Sequence, residues 1–425
     1  MLVGSAALAA GCVGAPPEDS VSEALSTFAQ FANPVNIGPV VNTKFKDQRP
    51  TLSKSGLSLY FGSNRDPGAS PKGTAEKTDL YVSQRASVDD AWGAPVKVDA
   101  LNSDGDENAP AFSTDGHWVY FSSDRDGYCG ATRNYDLWAA HRQDKDDDFG
   151  WETPVHLGCD INSPAIDDGP QVSDDENGVA SLYFNSNRAG GLTPAGKPAD
   201  FDIYLSPALS DDHVSFGAGV LVAELSTPQR DTRMALRRDG LEIFVTSNRT
   251  GSVPLNGVPS LDIWVATRAT TADPWSTPVN AGPDINTPAA DGAPTLSWDG
   301  QTLFYDSTVK IPGVSQGDRD IYYATRHKKP LPLRPCSSPK SSFLSVKILS
   351  GDAPTDARRR LDRPAAKWRR NLRWPPRGGT RTGRSPSPLS DRCRWLGREC
   401  HGHCRRHARC SGPTTCCDSF LRGGS

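Results

Sequence analysis

The chain has 425 residues, of which 36% are hydrophobic and 23% charged, with a formal net charge of −3. No apolar run approaches the ~20 residues that a membrane-spanning helix needs, so none is expected. The near-neutral mean hides two unlike segments: from His327 onward there are 23 Lys+Arg against 6 Asp+Glu, and before it 24 against 44. The two segments are physically different, one acidic and one strongly basic.

At the N-terminus, Leu2 to Ala10 is a short apolar run ending in Ala9-Ala10-Gly11-Cys12 and followed by polar, Pro-containing residues. It resembles the end of a bacterial lipoprotein signal peptide, which implies a leader over 1–11, lipidation at Cys12 and a linker over 12–28. A plain secretory signal and a frayed apolar terminus are the other readings.

From there the chain repeats itself. Anchors Pro50, Pro110, Pro170, Met234 and Pro294 are spaced by 60, 60, 64 and 60 residues, a repeat signature that predicts five copies of one unit. Each anchor opens an apolar stretch and then a turn, Ser53 to Gly56, Ser113 to Gly116, Asn177-Gly178, Arg238 to Gly240 and Ser297 to Gly300. Glycine takes the positive φ of such hairpins without steric cost. A second strand follows as Leu59-Tyr60-Phe61, Val119-Tyr120-Phe121, Leu182-Tyr183-Phe184, Ile243-Phe244-Val245 and Leu303-Phe304-Tyr305. The third opens on an acid before an apolar-aromatic pair, at Asp79, Asp136, Asp202, Asp262 and Asp320. The fourth is marked by Trp92-x-x-Pro95-Val96, Trp151-x-x-Pro154-Val155 and Trp275-x-x-Pro278-Val279, with Phe216 and Val220 in a degenerate copy. Proline there fits an edge strand.

The fifth copy has no such fourth strand after it. The missing piece stands at the front of the chain as Phe31-x-x-Pro34-Val35. The expected fold is therefore all-β, a five-bladed β-propeller over 29–327 with four-stranded antiparallel blades, the N-terminal strand closing the last blade. The Ser-x-Asp-Gly, Leu-Tyr-Phe, Ser-x-Arg and Asp-Ile-Tyr string resembles the WD40-like repeats of the translocation protein TolB and of many bacterial envelope proteins. That resemblance implies a periplasmic or surface-exposed binding scaffold of the cell envelope. A protein or peptide partner is expected, with the chain a monomer that meets the outer membrane only through the lipid on Cys12.

Three positions before each anchor stands a carboxylate, Asp47, Glu107, Asp167, Asp231 and Asp291, and the second strand ends in Ser-x-Arg with Arg65, Arg125, Arg188 and Arg249. The fifth copy, Ser307-Thr308-Val309, lacks the arginine. Equal repeat positions bring the five acids to one end of the central axis. Two readings stand: the acids pair with backbone N–H groups and the arginines to hold blades in register, or they face the channel mouth and bind a basic peptide or a cation such as Ca²⁺. No other cofactor and no metal site is expected. A glycoside hydrolase or carbohydrate-binding propeller using two axial carboxylates is the alternative function, but a nearly uniform ring differs from the unequal pair that such catalysis uses. No nucleophile elbow, phosphate loop or His-Glu-x-x-His occurs. Cys129 and Cys159 belong to the same repeat, and an oxidising compartment would permit a disulfide between them.

After Arg326 the repeat stops. Residues 328–425 hold 18 Arg, many Pro and Gly and clustered Cys, a composition that predicts a disordered tail. Out-of-frame translation of a GC-rich gene is one explanation; a zinc cluster of Cys400, His401, His403, Cys404, His407 and Cys410 is another, with spacing unlike small zinc folds. Charge alone would allow nucleic acid, but an exported protein has little use for it, so no nucleic-acid partner is expected.

Overall fold

Five times the chain runs outward from a central axis as an antiparallel meander, and a computed structural model shows five four-stranded blades, the last completed by a strand from the N-terminal side. Two units divide the chain, Met1–Ser338 and Pro339–Ser425. The structure describes residues 28–65, 77–127, 129–130, 133–174, 180–194, 197 and 199–329. The expected leader, Cys12 and nearly all of the linker and basic tail lie outside these residues.

Blade 1 comprises Asp47–Leu52, Ser58–Ser63, Asp79–Gln84 and Val96–Lys97, and blade 2 comprises Glu107–Phe112, Trp118–Ser123, Asp136–His141 and Val155–His156. Blade 3 runs through Asp167–Asp174, Ala180–Ser186, Asp202–Pro207 and Val220–Leu221, and blade 4 through Asp231–Leu236, Glu242–Ser247, Asp262–Thr267 and Val279–Asn280. Blade 5 takes Asp291–Leu296, Thr302–Ser307 and Asp320–Thr325 from the end of the repeat and its outer strand, Ala32–Asn36, from the beginning. That strand pairs antiparallel with Asp320–Thr325, Ala32 opposite Thr325 and Asn36 opposite Tyr322. The ring therefore closes as the repeat arithmetic requires. Beyond the blades, Pro254–Leu255 and Val258–Pro259 form a small hairpin in a blade 4 loop.

Every innermost strand carries the same irregularity. The residue before each anchor has positive φ, 53° at Arg49, 51° at Ala109, 64° at Gly169, 34° at Arg233 and 47° at Ala293, and the pairing register shifts there in all five blades. Such bulges bend a strand and break its ladder. Proline suits four of the anchors because a bulge requires no N–H from it.

Five apolar cores fill the five seams between neighbouring blades. An aromatic residue from the outer-strand segment of one blade wedges against the second strand of the blade before it: Trp151 on Tyr60, Phe216 on Tyr120 and Phe31 on Phe244, with centroids 6.4, 6.0 and 5.7 Å apart. Trp275 and Tyr183 share the seam between blades 3 and 4. Burying each such ring stabilises the fold by about 1.5–3 kcal/mol. The seam between blades 5 and 1 is thinner, with six buried apolar side chains where the others have nine or ten. Its wedge, Trp92, stays partly exposed.

Candidate functional site

The five repeat acids stand at the first position of the five innermost strands and are fully buried. Each is the centre of one motif. A hydroxyl residue four positions earlier donates both its backbone N–H and its side chain, as Thr43 does to Asp47 Oδ2 at 2.5 and 2.8 Å and Ser163 to Asp167 Oδ2 at 2.6 and 2.8 Å. The arginine ending the second strand reaches the other oxygen: Arg65 Nη2 lies 2.6 Å from Asp47 Oδ1, and Arg125 Nη2 3.2 Å from Glu107 Oε1. Arg188 and Arg249 stand 2.5 Å from Asp167 Oδ1 and Asp231 Oδ1. The same Nη2 also donates to a backbone carbonyl, that of Val41, Leu101, Ile161 or Leu225.

Through its own N–H, each acid then stitches its blade to the previous one. Asp47 donates to the Arg319 carbonyl at 2.9 Å, Glu107 to Thr78 at 2.9 Å, Asp167 to Tyr135 at 2.9 Å, Asp231 to Phe201 at 2.8 Å and Asp291 to Leu261 at 2.7 Å. The geometry is that of interblade latches. An open ring of carboxylates at the channel mouth is not what the fold builds, because each acid is turned into its seam and covered. Burial pushes the carboxyls of Glu107, Asp167 and Asp231 up, opposed by their arginines. Asp291, without an arginine, is pushed up to about 7, by burial first and also by the charge of Asp262. The upstream hydroxyls, Thr43, Ser103, Ser163, Thr227 and Thr287, are a repeat signal that reading the acids alone overlooks.

What lies on the axis itself is one residue further along. Asp168 of blade 3 accepts from Arg49 of blade 1, Nη1 to Oδ1 3.0 Å, and from Arg233 of blade 4, Nη2 to Oδ2 3.4 Å. The bulge amides are tied across seams as well: Arg49 N–H to Asp306 Oδ2 at 2.8 Å, Gly169 N–H to Ser122 Oγ at 3.0 Å, Arg233 N–H to Asn185 Oδ1 at 3.0 Å and Ala293 N–H to Thr246 Oγ1 at 3.0 Å. Only about 30 Å³ remains open among the anchors along the channel.

On the opposite face, where the first hairpin of each blade turns, the channel mouth holds about 100 Å³. It opens toward a much larger groove of about 810 Å³ along the seam of blades 5 and 1. Trp92, Trp298, Phe304, Tyr323, Lys54 and Arg85 are among its walls. Lys54 Nζ and Arg238 Cζ each lie 4.4 Å from the Trp298 ring centroid, and Arg85 Cζ lies 4.2 Å from that of Trp92. The wedge at this seam also lacks a hydrogen bond that two other seams have. In seams 1–2 and 3–4 the wedge indole N–H meets a tyrosine hydroxyl, Trp151 Nε1 to Tyr60 at 3.2 Å and Trp275 Nε1 to Tyr183 at 3.4 Å. The equivalent of those tyrosines is Phe304, which offers Trp92 no acceptor.

No protein-family model matches the chain, and no curated protein sequence matches it. Solved structures resemble it distantly. An α-L-arabinofuranosidase of Podospora anserina, solved with cellotriose, aligns at 13% identity over 72% of this chain and 98% of that one, with a TM-score of 0.44. An α-L-arabinofuranosidase of Lactobacillus brevis aligns at 14% over 68% and 92%, TM-score 0.46, and a putative TolB of Agrobacterium tumefaciens at 16% over 72% and 99%, TM-score 0.39.

Cys129 and Cys159 are bonded, with their Cα atoms 5.7 Å apart. Cys129 N–H donates to Asp136 Oδ2, at the start of the third strand of blade 2, at 2.7 Å. His156 stands beside the disulfide, Nε2 2.9 Å from Asp136 Oδ2. Its Nδ1 accepts from the Gly158 N–H at 3.1 Å, so Nε2 carries the proton and donates to Asp136. With the sulfur bonded and the imidazole so oriented, Cys129, Asp136 and His156 cohere as a structural cluster rather than as metal ligands.

Proposed function

We propose that the protein is a non-catalytic binding scaffold of the TolB-like kind, which engages a protein or peptide partner in the cell envelope. One observation carries this reading: a groove of about 810 Å³ lies open at the seam of blades 5 and 1, whereas Asp168, Arg49 and Arg233 crowd the axis. Glycoside hydrolysis requires two carboxyl groups flanking a bound sugar, one of them free to exchange a proton with it. The repeat acids are buried and hydrogen-bonded, and Asp168 is held between two guanidinium groups, which favours binding over hydrolysis. A groove walled by tryptophan, phenylalanine and tyrosine with lysine and arginine at its edge suits a partner's apolar side chains. The Cys129–Cys159 disulfide supports an oxidising compartment, and the apolar run before Cys12 supports export with a lipid anchor.

A photoreactive residue at Val88, on the groove wall, tests the reading in cells. A discrete envelope protein crosslinked there and lost in Trp298→Ala would support it. Turnover of aryl glycosides by the purified protein, abolished in Asp168→Asn, would overturn it in favour of hydrolysis. Palmitate labelling that persists in Cys12→Ser would remove the anchor from the proposal.

A further inference from the structure

In four blades the latch arginine lies against its acid, a backbone carbonyl and aromatic rings, a pair in blades 1 to 3 and Trp264 in blade 4. Arg65 Nη2 donates to Asp47 Oδ1 and to the Val41 carbonyl, both at 2.6 Å, and its Cζ is 5.0 Å from the ring centroids of Phe61 and Tyr81. Arg188 repeats this at 2.5 and 2.7 Å, with Phe184 and Tyr204 at 4.9 and 5.0 Å. Carboxylate, carbonyl and aromatic faces together are what a planar cation with several donors requires.

Blade 5 keeps every wall. Asp291 is fully buried and accepts from Thr287 N–H and Oγ1 at 2.6 and 2.8 Å, as the other acids do from their own upstream residues. The Ile285 carbonyl stands six residues before Asp291, the offset of Val41 from Asp47. Tyr305 and Tyr322 stack at 6.0 Å and 26°, against 6.3 Å and 27° for Phe61 and Tyr81 and 5.8 Å and 24° for Phe184 and Tyr204. The backbone also superposes in its bonding: Val309 N–H donates to Ser307 Oγ at 3.1 Å, as Arg65 N–H does to Ser63 Oγ at 3.2 Å. What differs is the side chain, valine for arginine. Among the described residues no cationic group pairs with Asp291, and Lys310 is turned to the Gly317 carbonyl. Val309 is only partly buried and packs against the core cluster that holds Tyr305 and Tyr322, and the loop beyond it, from Lys310 to Val314, is exposed, so a group from solvent reaches the cradle by displacing that one side chain.

We propose that blade 5 is a receptor for a guanidinium group supplied from outside the propeller, held by Asp291 Oδ1 and the Ile285 carbonyl between Tyr305 and Tyr322. The site lies on the face of the latches, away from the seam groove, and does not depend on it. The chemistry is shared by an arginine side chain of a partner and by a small free guanidine. Burial without a counter-charge, which holds the Asp291 carboxyl near 7, is relieved when such a group binds.

The test is thermal unfolding of the full chain at pH 8, where Asp291 is ionised, titrated with millimolar agmatine, with an arginine-bearing hexapeptide, with the same peptide carrying lysine, and with Ca²⁺. Ligand that binds only the folded state raises Tm by mass action. We expect a rise with agmatine and with the arginine peptide and none with the lysine peptide. Val309→Arg, which supplies the group internally, should raise Tm by a few degrees and abolish the response, and Asp291→Asn should abolish it without Val309→Arg having to fold. A peptide at least tenfold more potent than agmatine identifies a partner's arginine as the source; equal potency identifies a small guanidine. No response, a response unchanged in Asp291→Asn, or a response to Ca²⁺ in place of guanidinium would overturn the proposal.

Discussion

The guanidinium of Arg49 in blade 1 donates to the carboxylate of Asp168 in blade 3 at 3.0 Å, although 119 residues separate them in the chain. With Arg233 as second donor, a single acid thus ties three blades together on the axis. Removing it should leave two guanidinium groups with no counter-charge in a mostly buried site. Asp168→Ala is expected to cost about 1–3 kcal/mol. Arg49→Met and Arg233→Met should each cost less, since one donor remains, and the double variant more than the sum. Urea unfolding of the four proteins checks this.

The latches make a sharper case. In Arg249→Met the fully buried Asp231 loses its cation, and the expected loss is about 3–5 kcal/mol. Asp231→Asn in that background should recover part of it. If the double variant is no more stable than Arg249→Met, the arginine contributes by packing on Trp264 and not by neutralising the acid.

The pH response follows from Asp291. Its carboxyl is pushed up to about 7 in the folded protein from an ordinary 3.8, so the folded chain holds that proton more tightly than the unfolded one. Its contribution to stability is complete below about pH 4 and is lost as pH rises to 7. Asp291→Asn should therefore match the parent protein near pH 4 and exceed it at pH 8, as read by Tm across that window.

Ring closure by Ala32–Asn36 predicts that deletion of residues 21–43 unzips blade 5 and exposes the Phe244 wedge site. Loss of the single cooperative unfolding transition, followed by calorimetry, is the expected result.

The Cys129–Cys159 bond closes a loop with a sequence separation of 30. Cys129→Ser with Cys159→Ser should destabilise the protein by about 2–4 kcal/mol. Dithiothreitol should lower the Tm of the parent protein and leave the double variant unchanged.

Repeat grammar exposed the blades, the turns and the closing strand, because each copy of a motif such as Trp-x-x-Pro-Val answers to the same local geometry. It also aligned the acids with their arginines and showed Val309 as the exception. Burial of those acids was not legible, since sequence position places a residue at one end of a strand without saying which way its side chain turns. The Arg49–Asp168 pair was hidden for a different reason. Its partners occupy unequal repeat positions in non-adjacent blades, and only the closed ring brings them together. The seam groove was not legible either, since the thinner core between blades 5 and 1, with Trp92 only partly buried, appears only once the side chains are packed.

Ala32 lies opposite Thr325, and the flanking backbone continues the pairing where Ala29 N–H donates to the His327 carbonyl at 2.9 Å. The chain thus enters and leaves blade 5 side by side, at the same end of one antiparallel pair. Tension drawn between an anchor on the entering segment and a load on the departing one acts on the outermost hydrogen bond first and then on each next bond in turn. Blade 5 is therefore the edge at which tension applied in this way starts to open the ring.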